Sequence, residues 1–266
     1  MPDELFGCWT TISAMTQTAE GRLMPSQSNQ MLAVAILAGG LATRLGSLTE
    51  KIPKSLIPIA GEPFVAHQLR LLQRNGIQHV ILCVGHMGEM IEQTIGSGSA
   101  FGVSVEYSYD GPTLLGTAGA IRTALGKLGE KFFVMYGDSY LACNYTAIEQ
   151  EFSRSKLGLM TVFLNDGQWD TSNVEFANGR ILAYSKNNRT PRMRHIDYGL
   201  GVFRAEAFAR SHATDLADVY SDLLNANELA AFEVHERFYE IGSPAGLKEM
   251  EEFLTQQKPR GGDLQQ

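Results

Sequence analysis

With 266 residues, 44% of them hydrophobic and 19% charged, the chain is long enough for one large α/β domain with a buried core or for two small ones. A formal net charge of −7 and a pI near 5.4 argue against a nucleic-acid or anionic-membrane partner, so a phosphate-bearing ligand must be held by a local basic cluster. Cys8, Cys83 and Cys143 are too few and too scattered for a disulfide framework or a zinc site; with no run of about 18 apolar residues and no basic-then-apolar leader, a reducing, cytoplasmic setting is expected.

Residues 1–30 are rich in Ser, Thr and Gln and keep no period, which predicts a disordered extension ahead of one folded domain over 31–256. The apolar run 31–37 reads as a buried parallel strand. It enters Leu37-Ala38-Gly39-Gly40-Leu41-Ala42-Thr43-Arg44-Leu45, and Pro53-Lys54-Ser55-Leu56 follows. Glycines where a strand ends suit positive φ, and successive N–H groups in such a turn form an anion nest. Arg44 adds a fork of donors that matches phosphate oxygens, and Lys54 a mobile point charge. The spacing fits neither the P-loop nor the dinucleotide fingerprint.

Helical spacing over 63–75, with Pro63 in the first turn and Gly76 as the stop, precedes a β-rich run at 79–84. A short helix over 89–95, a strand over 103–109, a helix from Gly116 to about Gly126 and a strand over 131–136 follow. That alternation predicts a doubly wound, mostly parallel, Rossmann-like α/β sheet. Short strands at 157–164, 173–176, 180–184 and 198–203, punctuated by Asp166-Gly167 and Asn178-Gly179, predict a smaller mixed or antiparallel extension. Helices capped by Thr214 and by Ser243, the latter with Pro244 next, close the domain before a frayed tail at 257–266.

Gly137-Asp138 stands at the carboxyl end of a central strand, where open α/β sheets place ligands; Asp138 can hold a divalent metal there or simply cap the turn. Leu115-Gly116-Thr117-Ala118-Gly119-Ala120 opens a helix with residues small enough for backbone to approach a flat base, or for close packing. The run Arg189, Arg192, Arg194, His195 reads as a solvated loop, and Trp169 as core or as a sugar-stacking face.

The glycine loop with its P-K, the L-G-T-A-G-A string and the G-D together resemble the sugar-1-phosphate nucleotidyltransferases, in particular the short bacterial mannose- and heptose-1-phosphate guanylyltransferases, over roughly residues 31–255. The resemblance implies transfer of a nucleoside monophosphate from an NTP to a sugar 1-phosphate. Arg44 and Lys54 would be catalytic, while Leu37, Ala38, Gly39, Gly40, Thr43, Gly116 and Thr117 would bind nucleotide. Asp138 would bind Mg²⁺ together with Glu240, which stands in Glu240-Ile241-Gly242-Ser243-Pro244 where the family has an aspartate. Lys186 and the Asp197-Tyr198-Gly199 string would bind the sugar phosphate, through Lys186, Asp197 and Gly199.

Asp110 stands where several uridylyl- and thymidylyl-transferring relatives carry Gln, and a carboxylate can accept both guanine N1–H and N2–H, which tilts the base towards GTP; ahead of Gly111-Pro112 it reads equally as a turn residue. A uridylyl- or thymidylyltransferase for glucose 1-phosphate is the alternative, and a non-catalytic nucleotide-sugar-binding regulatory subunit the alternative of another class. Self-association is left open by the sequence.

Overall fold

The computed structural model describes residues 31–40, 51–152 and 156–257. Strand β1 (Ala33–Leu37) lies at the centre of a nine-stranded sheet, and its Val34, Ala35 and Ile36 are wholly buried because helices cover both faces. Parallel neighbours flank it: β4 (His79–Val84) on one side, with β5 (Ser104–Tyr109) beyond, and β6 (Lys131–Tyr136) on the other.

Alternation along the strands sorts the core into two faces. Val34 and Ile36 of β1 and Phe133 and Met135 of β6 pack with Val65, Leu69 and Leu72 of helix α1 (Phe64–Arg74). Ala35, Phe132 and Val134 face the opposite way, onto Ile121 and Ala124 of α3 (Gly116–Leu128). Between β4 and β5 runs α2 (Gly88–Ile95), on the α1 face through Ile91 and Ile95. The chain thus goes from β1 to β4 to β5 and then crosses back to β6. Its connections diverge between β1 and β6, and the crevice at their carboxyl ends is the switch point of a doubly wound sheet.

Beyond β6 the sheet turns mixed. The long strand β11 (His195–Arg204) runs antiparallel to β6 and to β8 (Gly158–Leu164), and β12 (Leu229–Val234) runs parallel to β8. A hairpin of β9 (Val174–Ala177) and β10 (Arg180–Tyr184) joins the start of β11 through His195 and Val174. Its turn is the expected Asn178-Gly179, with φ of +52° and +73°, the geometry that matches strand twist.

Two ribbons, β2 (Pro58–Ile59) with β3 (Glu62–Pro63) and β7 (Ser139–Tyr140) with β13 (Tyr239–Glu240), flank the main sheet. Helix α7 (Pro244–Gln257) packs over them through Met250 and Leu254 against Ile59 and Tyr140. Ser243 caps it as expected, its hydroxyl accepting the Gly246 N–H at 3.1 Å. Among the described residues no helix is long and apolar enough to cross a membrane.

Several local expectations are corrected. Pro63 is the N-cap of α1 rather than a first-turn residue, its ψ of 137° being extended. Helix α3 runs two residues past Gly126, to Leu128, and Gln257 ends α7 rather than opening a tail. Asp215, not Thr214, caps α6 (Leu216–Asn225), because the Thr214 carbonyl is turned away to accept the Ala118 N–H at 2.9 Å. Helices α4 (Tyr145–Glu151) and α5 (Ala205–Ala209) and strand β12 are additional. The expected extension 1–30 and the tail 258–266 lie outside the described residues.

Candidate active site

The carboxyl ends of β4, β1 and β6 are locked in register by backbone bonds past the strands, Ala38 N–H to Cys83 O at 2.8 Å and Gly137 N–H to Leu37 O at 2.9 Å. Over them opens a cavity of about 300 Å³. It brings together Leu37, Ala38, Gly39, Gly40, Lys54, Asp110, Gly116, Thr117 and Asp138, all singled out in the sequence. Gly137 is a glycine by necessity, since a Cβ would stand 2.7 Å from Leu37 O.

Gly39 and Gly40 do not take the expected positive φ. Gly39 instead permits a close approach: a Cβ there would lie 3.1 Å from Gly85 N and 3.5 Å from Asp110 Oδ2. Gly85, overlooked in the sequence, leaves the matching space on the other side, where a Cβ would meet Leu114 Cδ2 at 2.8 Å and Asp110 Oδ2 at 3.3 Å. The Asp110 carboxylate is therefore seated between two glycines at the cavity wall. It accepts the Leu115 N–H at 3.3 Å, and burial pushes its carboxyl above the usual range. Leu114, 43% exposed, adds an apolar wall beside it.

Lys54 sits in a single 3-10 turn, Lys54–Leu56, that Pro53 enters at φ −59°. Its Nζ lies 2.6 Å from Asp138 Oδ2, and a Cβ on Gly242 would come within 3.3 Å of the same nitrogen. Gly242 thus leaves room for the ammonium, a role for the E-I-G-S-P segment that sequence alone did not suggest. The Asp138 turn is held from below by buried Gln68 of α1, whose amide donates to Tyr136 O at 3.1 Å and Ser139 O at 2.8 Å.

Glu240 reaches Asp138 through the ribbon: Glu240 pairs with Ser139, and Ile241 N–H donates to Asp138 O at 2.9 Å. It is exposed to solvent and does not line the 300 Å³ cavity, though protein packs around its carboxyl. That crowding, then the negative charges of Asp138 and Asp170, push its carboxyl up to about 7, against the pull of Lys54.

Asp197 and Gly199 form a bulge in β11, where the pairing with β8 slips and Gly199 takes φ +94°. Asp197 Oδ1 accepts the Gly199 N–H at 3.0 Å, and desolvation raises its carboxyl to about 6. Lys186, two residues past the end of β10, pairs with Asp215 at 3.0 Å. These residues do not line the 300 Å³ cavity; Gly199 comes nearest, a Cβ there standing 3.6 Å from the ring of the lining residue Tyr136, the last of β6. Burial, then the negative charges of Asp197, Asp215, Asp138 and Glu240, hold the Tyr136 phenol well above its ordinary value.

Thr43 and Arg44 lie outside the described residues. Trp169 is not core: it is 45% exposed, with the Arg237 guanidinium 3.4 Å from its ring centroid. Arg192 and Arg194 are solvated as expected, pairing with Glu175 and Asp166, but His195 is not part of that loop: it opens β11 with its ring largely buried and 3.0 Å from Glu233.

A family model described as nucleotidyl transferase matches residues 33–173, which hold β1, the glycine loop, Asp110, the start of α3 and Asp138. The chain belongs to the nucleotidyl transferase family. The chain is 31% identical over 178 residues to the mannose-1-phosphate guanylyltransferase of Mycobacterium tuberculosis, covering 66% of this chain and 49% of that one. It is 29% identical over 224 residues to the N-acetylmuramate alpha-1-phosphate uridylyltransferase of Neisseria meningitidis, covering 80% and 94%. The chain thus spans about half the length of the mycobacterial relative and nearly all of the neisserial one. Its fold matches HddC from Yersinia pseudotuberculosis, solved in complex with GMP-PN, with a TM-score of 0.72 at 24% identity, covering 84% of this chain and 100% of that one.

The raised carboxyl of Glu240 makes a prediction for the protein without ligands. A carboxyl whose folded-state value lies above its unfolded one takes up protons on folding, so its penalty is absent at low pH and grows as pH rises from the ordinary carboxylate range through about 7. Glu240 is exposed, so solvent screens part of this repulsion; Glu240→Gln should match wild type in thermal midpoint at pH 4 and exceed it modestly at pH 8. A variant less stable than wild type at pH 8 would show that the Glu240 charge is not repelled.

Proposed function

We propose that the chain transfers a nucleoside monophosphate from an NTP, with GTP favoured, to a sugar 1-phosphate, releasing pyrophosphate. The observation that carries this reading is the Lys54–Asp138 pair at 2.6 Å, set at the β1/β6 switch point on the edge of a cavity large enough for a base and walled by Asp110. An oxygen of the sugar phosphate attacks the α-phosphorus, the new P–O bond forms, and the bond to the β-phosphate oxygen breaks. The nucleophile is already ionised, so catalysis is positioning and charge neutralisation. Lys54 meets the α-phosphate, while Arg44 and the amides of residues 39–43 hold the departing pyrophosphate. Lys186 holds the sugar phosphate, and Asp197 accepts from sugar hydroxyls.

The donor set suits Mg²⁺. Asp138 and Glu240 are placed side by side by β7 and β13 and repel each other, and among the described residues no group of three or more His, Cys, Asp or Glu forms a complete cage. Mg²⁺ keeps several waters and binds through one or two carboxylates plus substrate phosphates, which matches two acids and no more. Bound there, it would screen phosphate charge as the α-phosphorus is attacked.

For the sugar, a manno-configured 1-phosphate is favoured, in keeping with the mycobacterial relative; glucose 1-phosphate with a pyrimidine donor is the second reading, and the neisserial relative's uridylyl transfer favours that base class. A non-catalytic regulatory subunit fits less well, because Lys54 and Asp138 are both present and in contact. Pyrophosphate release from a panel of NTPs with mannose, heptose, N-acetylmuramate and glucose 1-phosphates in Mg²⁺ tests all three readings. No turnover with any pair would leave the regulatory one.

Asp110 decides the base. Its carboxylate faces the cavity with one oxygen beside Gly39 and Gly85 and, among the described residues, accepts one long backbone bond, so that it can take up guanine donors. Asp110→Gln should lower kcat/KM for GTP by roughly 1–3 kcal/mol while leaving UTP or dTTP use unchanged or improved. Equal losses for every base would reduce Asp110 to a turn residue.

A further inference from the structure

Asp215 was not among the residues the sequence singled out, yet it ties together two parts of the site. Its Oδ1 accepts the Ala217 N–H at 2.8 Å as the N-cap of α6 and takes the Lys186 ammonium at 3.0 Å. The Thr117 hydroxyl stands 3.5 Å from that same oxygen, while Thr117 Oγ1 accepts the Leu216 N–H at 2.7 Å. Thr117 belongs to the first turn of α3 and lines the nucleotide cavity. One residue earlier, Gly116 takes φ +73° and has no room for a Cβ, which would stand 2.5 Å from Thr214 O. The opening turns of α3 and α6 are therefore clasped together, and Lys186 is moored on the clasp.

Capping alone does not call for an acid, since Asn, Ser or Thr serve as well at an N-cap. The negative charge is used by Lys186. With the two side chains 40% and 49% exposed, the pair adds little to stability. What it does is restrict a long, flexible lysine stem before substrate arrives, so that less freedom is lost on binding. Lys186 also lies close enough to Asp197 for its charge to pull down that residue's raised carboxyl.

We propose that Asp215 is a positioning residue: it holds the Lys186 ammonium at the sugar-phosphate side of the cleft, from a seat braced against the nucleotide-binding turn of α3. The proposal rests on Lys186 contacting the phosphate of the sugar 1-phosphate.

The test is a double-mutant cycle in the full chain with Asp215→Asn, Lys186→Ala and both together, assayed with GTP and mannose 1-phosphate or the pair that the substrate panel selects. Asp215→Asn keeps the cap and removes only the charge. It should raise KM for the sugar 1-phosphate roughly tenfold, leave KM for the NTP and the thermal midpoint unchanged, and add nothing once Lys186 is alanine. If Lys186→Ala raises that KM but Asp215→Asn leaves it unchanged or lowers it, the positioning role is overturned while the role of Lys186 stands. If Lys186→Ala itself leaves the KM unchanged, the phosphate role of Lys186 fails and the proposal with it. A lower midpoint with both KM values raised in parallel, and the same loss in the Lys186→Ala background, would reduce Asp215 to a structural cap.

Discussion

Asp138→Asn is expected to give a folded protein without Mg²⁺-dependent pyrophosphate release, a loss on the order of 10³-fold or more. The amide keeps the shape but attracts a divalent cation weakly, and it surrenders the charge that pairs with Lys54 at 2.6 Å. The fold has little stake in that charge. The turn is held by its backbone, through Gly137 N–H to Leu37 O, Ile241 N–H to Asp138 O and the Gln68 amide to Tyr136 O and Ser139 O, and none of these uses the carboxylate. The paired side chains are 19% and 35% exposed, so solvent cushions the lost ion pair and the thermal midpoint should stay close to wild type. Activity that persists with Mg²⁺ in a folded variant, and vanishes with EDTA as in wild type, would remove Asp138 from metal binding.

Lys54→Ala should cost chiefly kcat, by roughly 10²-fold or more, with a smaller effect on KM for the NTP. The ammonium is confined between the Asp138 carboxylate and the space that Gly242 leaves open, so it is placed before substrate enters and needs no reorganisation as charge gathers on the α-phosphate. Its removal also leaves Asp138 and Glu240 facing each other unscreened. Because Lys54 pulls the Glu240 carboxyl down, the residual activity of the variant should require higher pH than wild type. Stopped-flow or steady-state rates across pH 6–9 measure both effects. A kcat within threefold of wild type would exclude Lys54 from the reaction.

Both experiments act on residues that were legible in the sequence, and the reason is local. An apolar run ending in a glycine loop, or in Gly137-Asp138, marks the carboxyl end of a buried strand wherever that strand comes to lie, and doubly wound sheets gather such ends. Asn178-Gly179 carries its hairpin in two left-handed residues, and Ser243-Pro244 carries its helix start in one hydroxyl and one fixed φ.

Local patterning determined the strands β1, β4, β6 and β10 and placed Lys54, Asp110 and Asp138 on loops at one end of the sheet. The three-dimensional arrangement decided which of these residues touch. Asp138 meets Lys54 from 84 positions away, and Asp215 approaches Thr117 across 98. Such pairings follow from sheet order and crossovers, which no short window encodes. The same holds for errors of one residue. Thr214 and Asp215 are equally good caps in isolation, and the choice fell to Asp215 because α3 claims the Thr214 carbonyl. Gly39, expected to bend the chain, is instead small so that Asp110 and Gly85 can come close, a demand set by a neighbouring strand and therefore invisible along its own.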